Sequence, residues 1–180
     1  EYGAGLESGR HPWEECRGMA HSFGYSRTEA LSDYKSGREL ILMLIDIVSR
    51  GGNLLLDIGP DGDGTIPVIM EERLLQIGDW LDVNGEAIYG TRNWKRTIQW
   101  TEGERPEVGY GKQYKAKYDI GELTGPATGE KAVIEAFFTA KDDTLYVITP
   151  RWPGEKLVVE DVQISSNSDV TMLGLAQSIE

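Results

Sequence analysis

The chain has 180 residues, of which 39% are hydrophobic and 27% are charged, an ordinary composition for one globular domain or two small ones. Its net charge of −12 would repel phosphate backbones, so nucleic acid is not an expected partner, whereas a neutral ligand such as a sugar is compatible with it. Cys16 is the only cysteine, which rules out an internal disulfide, and no apolar stretch approaches the roughly 18 residues of a membrane span.

Residues 1–27 predict a long loop with a short strand or turn inside it. Their glycines stand among aromatic and charged residues without a clean periodicity. Long loops in compact domains often carry function. This segment is therefore the first place in which functional side chains are expected.

A helix is predicted after Ser36. Ser36 and Glu39 have the spacing of a capping box, in which each side chain binds the backbone amide of the other residue. Apolar residues then recur at helical spacing, and the pair at 51–52, Gly-Gly, predicts a left-handed stop. The apolar run 53–58 that follows is typical of a parallel strand buried on both faces.

A second helix is predicted from Thr65 to Asn84, behind a tight loop of Asp and Gly, with Pro67 in its first turn. Helix, strand, loop and helix with short connections are the rhythm of an α/β barrel or a doubly wound sheet. A unit of about fifty residues cannot close either fold. We therefore expect it to need neighbouring strands that this chain does not contain.

The second half of the chain predicts an antiparallel β-domain. Short runs of β-branched and aromatic residues alternate with predicted hairpin turns. The predicted strands are 132–140, 144–149, 156–159 and 170–173. We accordingly predict two domains, residues 1–94 and residues 95–180, of which the second is incomplete.

Glu14 is the most informative acid on the residues alone. It follows Pro12 and Trp13, and an indole beside a carboxyl group removes solvent and favours the protonated form that a proton donor needs. A surface glutamate without a function is the open alternative. Glu15 is adjacent, and because neighbouring loop residues point in different directions, at most one of the two should face a substrate.

Aromatic and imidazole groups surround this acid. The rings of Trp13, Phe23 and Tyr25 could pack against the apolar face or a methyl group of a sugar, or they could anchor the loop. His11 and His21 match no zinc spacing and could bind a hydroxyl group, with a solvated or structural role as the alternative.

The loop at 61–64, Asp-Gly-Asp-Gly, is better explained as a turn than as a metal site. It has the beginning of a calcium loop, but Ile66 and Pro67 displace the bidentate glutamate that should follow. The glycines form neither a dinucleotide fingerprint nor a phosphate loop, and no Gly-x-Ser-x-Gly is present. We expect no metal and no cofactor.

Several motifs in register resemble the family 29 α-L-fucosidases. The Trp-Glu-x-Cys at 13–16 and the Ser-Phe-Gly-Tyr at 22–25 resemble two signatures of that family. The run Gly-Gly-Asn-Leu-Leu-Leu-Asp-Ile-Gly-Pro at 51–60 looks like its last barrel units. Further similar segments are 63–66, 72–74 and 83–89, and, less sharply, 145–148, 152–153 and 172–174 in the β-half.

The resemblance implies the C-terminal portion of a (β/α)8 TIM-like barrel followed by an antiparallel β-sandwich domain. It implies a retaining exo-hydrolase that releases α-L-fucose by means of two carboxylates. Glu14 matches the acid/base glutamate, and Phe23 matches an aromatic residue that lines the pocket for the fucose methyl group. The nucleophilic aspartate belongs to an earlier strand, so Asp57 and Asp61 are not assigned that role.

Two further substrate contacts are weaker candidates. Trp13 stands beside the matched glutamate. Many relatives carry an arginine about a dozen residues before that glutamate, where this chain has Tyr2, and Arg10 is the nearest substitute.

The expected partner is a fucosylated oligosaccharide or glycoconjugate, and a homo-oligomer is left open. The family implies a secreted, periplasmic or lysosome-like location. A non-catalytic carbohydrate-binding module and an inactive fucosidase-like protein are the alternative functions, because this chain alone cannot assemble a site of two carboxylates.

Overall fold

The computed structural model describes residues 12–106 and 119–175, which form a mixed α/β structure. Its elements are β1 (Trp13–Gly18), α1 (Gly37–Ser49), β2 (Gly52–Asp57), α2 (Val68–Asn84), β3 (Arg92–Trp100), α3 (Ile120–Leu123), β4 (Ile134–Lys141) and β5 (Thr144–Ile148). Single 3-10 turns lie at Leu31–Asp33 and Gly85–Ala87. No helix of this described part has the length and apolar character needed to cross a membrane.

Strands β1 and β2 form a parallel pair that is connected through α1. Their register runs from Trp13 opposite Gly52 to Gly18 opposite Asp57. Side chains alternate between the two faces of a strand, and residues aligned across the pair share a face. The order β1, α1, β2, α2 is the predicted α/β rhythm, and the short strand predicted inside the first loop is β1.

The predicted boundaries of α1 are confirmed. The Ser36 hydroxyl accepts a hydrogen bond from the Glu39 amide at 3.2 Å, and the Glu39 carboxylate accepts one from the Ser36 amide at 2.8 Å. At the other end, Gly51 adopts a φ of 83°, which favours glycine and turns the chain into β2.

The start of α2 differs from the prediction. Pro67 precedes the helix as its N-cap and Val68 is the first helical residue, so the helix begins three residues after Thr65. The Asp loop explains the delay, because the Thr65 amide donates to the Asp63 carboxylate at 2.9 Å and is held in the turn. The end at Asn84 is confirmed.

Helix α1 is buried on two sides and links the two sheets. One side contributes Leu40, Met43 and Ile47 to a cluster with residues of β2 and α2. The other side contributes Leu42 and Ile45 to a second cluster with β4 and α3. The helix thereby fixes the parallel pair against the rest of the fold.

The second sheet is antiparallel, in the order β3, β4, β5. The central strand β4 is the most buried, with Phe137 and Phe138 at 0% exposure. Asp142 adopts a φ of 50° in the turn between β4 and β5, at the predicted hairpin. The strands predicted over 132–140 and 144–149 are thus confirmed, although β4 is shifted to 134–141 and β5 ends one residue earlier than predicted.

Three sequence expectations for this half fail or are incomplete. Strand β3 is not predicted, and it runs across the proposed boundary at Trp94. The strands predicted at 156–159 and 170–173 are wrong, since these segments form no named strand. At the first of them the Gln99 amide group donates to the Val158 carbonyl at 2.7 Å, so a side chain replaces a ladder of backbone bonds.

Candidate active site at the carboxyl ends of two parallel strands

Glu14 and Glu15 lie on opposite faces of β1. The face that carries Glu15 looks toward α1, and Glu15 is 1% exposed. The face that carries Glu14 looks the other way, and Glu14 is exposed. The expectation that at most one of the pair faces a substrate follows from this alternation, because consecutive strand residues point to opposite sides.

The carboxylate of Glu15 is part of a buried ion cluster. One of its oxygens accepts a hydrogen bond from Nε of Arg17 at 2.5 Å, and the other lies 4.0 Å from Nη2 of Arg50. Arg50 also donates to the Asp46 carboxylate at 2.6 Å. Asp46 is itself 1% exposed. Two buried carboxylates and two arginines therefore join β1 to α1, which is a structural use of Glu15.

Trp13 also lies on the α1 side. Its ring covers Gly52, where a methyl group would come within 2.5 Å of the indole, and the Arg50 guanidinium stacks 5.3 Å from the ring centroid. The expectation that this indole shields the Glu14 carboxyl group is wrong, because the two side chains leave the strand on opposite faces. The placement of Trp13 favours the anchoring alternative over a sugar contact.

The opposite face of the parallel pair is open within the described part of the chain. Cys16 and Glu14 share it with Asn53, Leu55 and Asp57 of β2. Leu55 is 50% exposed there, so the prediction that β2 is buried on both faces is wrong for this chain. The difference has a simple reason, since a parallel strand needs cover on its second face and the described residues provide none.

The loop after β1 folds over the carboxyl ends of both strands. A methyl group on Gly59, just beyond β2, would lie 2.2 Å from the Tyr25 amide nitrogen and 2.4 Å from the Gly24 carbonyl carbon. This contact is closer than any side chain allows, so Gly59 is the surface on which the loop rests. Phe23 and Tyr25 are 57% and 44% exposed there.

One carboxylate organises this loop. Oε1 of Glu29 accepts hydrogen bonds from the His21 amide at 3.0 Å and the Ser22 amide at 2.8 Å, and the Ser22 hydroxyl lies 2.9 Å from it. These bonds hold the pKa of Glu29 below its ordinary value of 4.5, although burial alone would raise it. The loop is closed at its base by the Lys35 amide, which donates to the Met19 carbonyl at 2.9 Å.

No sequence motif singles out Glu29. Its signal is weak, because a glutamate between Thr28 and Ala30 has no motif and its partners lie seven and eight residues earlier. The side chain of His21 is solvated and lies 3.8 Å from Asp33, which agrees with its solvated alternative. Arg10 and His11 lie outside the described residues.

Glu14 and Phe23 do not meet at one level of the structure. Glu14 is the second residue of β1, whereas Phe23 lies beyond the other end of that strand. Four residues of extended chain from Glu14 to Gly18 correspond to about 13 Å.

In the described part of the chain, no group of three or more His, Cys, Asp or Glu could hold a metal ion.

Parallel strands with a crossover helix, and with aromatic rings presented at their carboxyl ends, define a class of α/β proteins whose functional sites lie at that edge. A family model described as "Alpha-L-fucosidase" matches residues 1–86. The plasma α-L-fucosidase of Rattus norvegicus is 54% identical over 86 residues, which are 47% of this chain and 19% of that protein. The tissue α-L-fucosidase of Homo sapiens is 35% identical over 167 residues, which are 92% of this chain and 29% of that protein.

A solved structure extends the similarity through both sheets. The Thermotoga maritima α-fucosidase in complex with fucose matches with a TM-score of 0.66 at 36% identity, covering 91% of this chain and 32% of that one. The chain belongs to the family 29 α-L-fucosidases, which are glycoside hydrolases. The chain spans only 18% to 32% of the length of four relatives described as α-L-fucosidases, whether the match covers 47% of this chain or more than 90% of it.

Proposed function

We propose that the full-length protein is a retaining exo-hydrolase that releases α-L-fucose from fucosylated glycans. In this proposal the chain supplies the C-terminal portion of a (β/α)8 barrel followed by a β-sandwich domain. The observation that carries the proposal is the loop with Phe23 over the carboxyl ends of β1 and β2, since barrel enzymes build their sites at that edge. The Thermotoga maritima relative, solved with fucose, supports the substrate class.

Within this site we propose Phe23 as the aromatic contact for the fucose methyl group. Its ring is exposed although it is apolar, and the loop beneath it is tightly docked on Gly59. An exposed ring on a firmly held loop is a ready surface for the apolar part of a sugar. Trp13 stays a weaker proposal, because it packs on the other side of β1.

We carry Glu14 forward as the acid/base hypothesis. The hypothesis is supported by the exposed side chain of Glu14 on the open face, whereas the Glu15 carboxylate is bound to Arg17. Its position near the amino end of β1 counts against it, because the proposed sugar contact lies at the carboxyl end. An acid elsewhere in the barrel is therefore the direct competitor in the experiment.

The experiment compares Glu14→Gln with the wild type in the full-length protein. Loss of general acid catalysis should lower turnover of substrates with poor leaving groups by about 10²–10⁴-fold. An activated aryl fucoside should form the glycosyl-enzyme readily, and azide should then raise turnover and give a fucosyl azide of retained configuration. Glu71→Gln, an exposed change on α2, is the matched control.

The outcomes separate the alternatives. An active wild type with no azide rescue in Glu14→Gln would place the acid elsewhere in the barrel and leave the fucosidase proposal intact. A full-length protein that binds fucose without hydrolysing any fucoside would favour the carbohydrate-binding or inactive alternative. Glu15→Gln does not serve as a silent control, because the structure places Glu15 in the buried ion cluster.

We also propose a secreted, periplasmic or lysosome-like location. Relatives named as plasma and tissue α-L-fucosidases support it. Cell fractionation with an antibody against the full-length protein tests it, and recovery in the cytosol alone would contradict it.

A further inference from the structure

The carboxylate of Glu29 holds the segment that precedes Phe23. It binds two backbone amides of this segment and the hydroxyl group of Ser22. The amides of His21 and Ser22 both point at one oxygen of the Glu29 carboxylate, at 3.0 Å and 2.8 Å. Hydrogen bonds to a charged acceptor are stronger than neutral ones. The last bonded residue, Ser22, is the immediate neighbour of Phe23, so the carboxylate fixes the point from which the ring projects.

A second contact fixes the backbone that follows Phe23 in the chain. Gly24 and Tyr25 rest on Gly59, where the backbone atoms approach too closely for any side chain. Phe23 thus lies between two fixed backbone segments, residues 21–22 bound to Glu29 and residues 24–25 packed on Gly59. The ring itself is 57% exposed, so its direction depends on these neighbours more than on its own packing.

We propose that Glu29 is a positioning residue that sets the direction of Phe23 and thereby the preference of the site for a sugar with a methyl group at C5. The inference rests on the proposed function, since it requires that Phe23 contacts the fucose. Glu29 itself does not contact the substrate. Its effect passes through the backbone of residues 21–23.

The test measures a ratio in the full-length protein. The value of kcat/KM for an aryl α-L-fucoside is divided by that for the analogue that lacks the C5 methyl group. A methyl contact in an apolar pocket is worth roughly 10–200-fold. Glu29→Ala should lower the ratio about three- to tenfold, because the ring is displaced but kept. Glu29→Gln should lower it less, because the amide oxygen can still accept the two backbone bonds.

Asp33→Ala is the matched control within the same loop. Its carboxylate also accepts a backbone amide, that of Ala30 at 2.8 Å, and meets the His21 ring only at 3.8 Å. This variant should leave the ratio unchanged. A purely structural role of Glu29 would lower the rates of both substrates together, without a change in the ratio.

A double variant tests whether Glu29 acts through Phe23. Phe23→Ala should lower the ratio by itself. Adding Glu29→Ala to it should cause no further fall, because the two changes remove the same contact. A full additional fall in the double variant would overturn the proposal.

Amide hydrogen exchange gives a readout that does not depend on activity. Exchange at Ser22 should rise about tenfold or more in Glu29→Ala, since a bond to a charged group is lost, and should stay unchanged in Asp33→Ala. Unchanged exchange in Glu29→Ala would contradict the role of Glu29 in holding the Ser22 backbone. Faster exchange with an unchanged substrate ratio would overturn the role of Glu29 in specificity. A wild type without fucosidase activity would refute the proposed function, while the exchange result would still decide whether Glu29 holds this backbone.

Discussion

The two faces of the β1–β2 pair meet very different surroundings. On the α1 side, Glu15 and Asp46 are buried at 1% exposure and are paired with Arg17 and Arg50. On the open side, Glu14 is exposed and Leu55 is half exposed. The two glutamates are neighbours in sequence, but strand alternation gives one a structural task and leaves the other available for chemistry.

This difference shows how much a side chain's meaning depends on what covers its face. A carboxylate under a helix must be paired, because an unpaired buried charge is costly. A leucine on an uncovered face of a parallel pair indicates that a further layer is expected there. The helix side is covered within the described residues, whereas the open side has no such cover among them, as expected if further strands of the proposed barrel pack there.

The largest expected effect is on the helix side. Glu15→Ala in the full-length protein should lower the free energy of unfolding by roughly 3–5 kcal/mol, because it removes a buried carboxylate from the ion cluster that it forms with Arg17 and Arg50. Chemical denaturation measures the change. Glu71→Ala, on the exposed side of α2, should cost only a few tenths of a kcal/mol. A loss below about 1 kcal/mol for Glu15→Ala would show that water reaches the cluster and that the two faces are alike.

The open side gives the next largest effect, and its size should depend on the length of the protein. Leu55→Ala should destabilise the full-length protein by about 2–3 kcal/mol if a barrel covers this face. In the 180-residue chain alone the same change should have little effect on stability, since Leu55 is already 50% exposed.

That isolated chain should be inactive and prone to aggregate. A monomeric, cooperatively unfolding chain with fucosidase activity would contradict this prediction.

The sequence predicts those parts of the fold whose signals are local. The reciprocal bonds of Ser36 and Glu39 require only a spacing of three residues, and the stop at Gly51 requires only a glycine with positive φ. The hairpin at Asp142 is equally local. These elements could therefore be placed before any tertiary contact was known.

Features that depend on distant partners could not be predicted in this way. Strand β3 is recognisable only through its pairing with β4, about forty residues later. The link between Glu29 and Ser22 closes a loop that has no periodicity. Adjacency also misled where alternation decides, since Trp13 seemed to shield Glu14 although the two lie on opposite faces. The family resemblance points to Phe23, but the contacts that hold its loop are visible only in three dimensions.

The smallest expected effect concerns the loop over the carboxyl ends of β1 and β2 and its response to acid. The Glu29 carboxylate lies among His21, Asp33, Tyr34 and Lys35. Burial and then the charge of Glu29 raise the pKa of the Tyr34 phenol above 10.0, so Tyr34 stays neutral in the acidic range. His21→Ala provides a background in which the imidazole cannot contribute.

The sign of the effect follows from the lowered pKa of Glu29. Hydrogen bonds from Ser22 and His21 outweigh burial, which acts to raise this pKa. The stabilisation is therefore fully present above the ordinary value of 4.5 and is lost as the pH falls through the lower pKa of the folded loop. Exchange at the Ser22 amide, corrected for the intrinsic rate, should be constant between about pH 7 and 5 and should increase below that range. Glu29→Gln should abolish the dependence in the His21→Ala background. If the dependence survives, another carboxylate holds the loop.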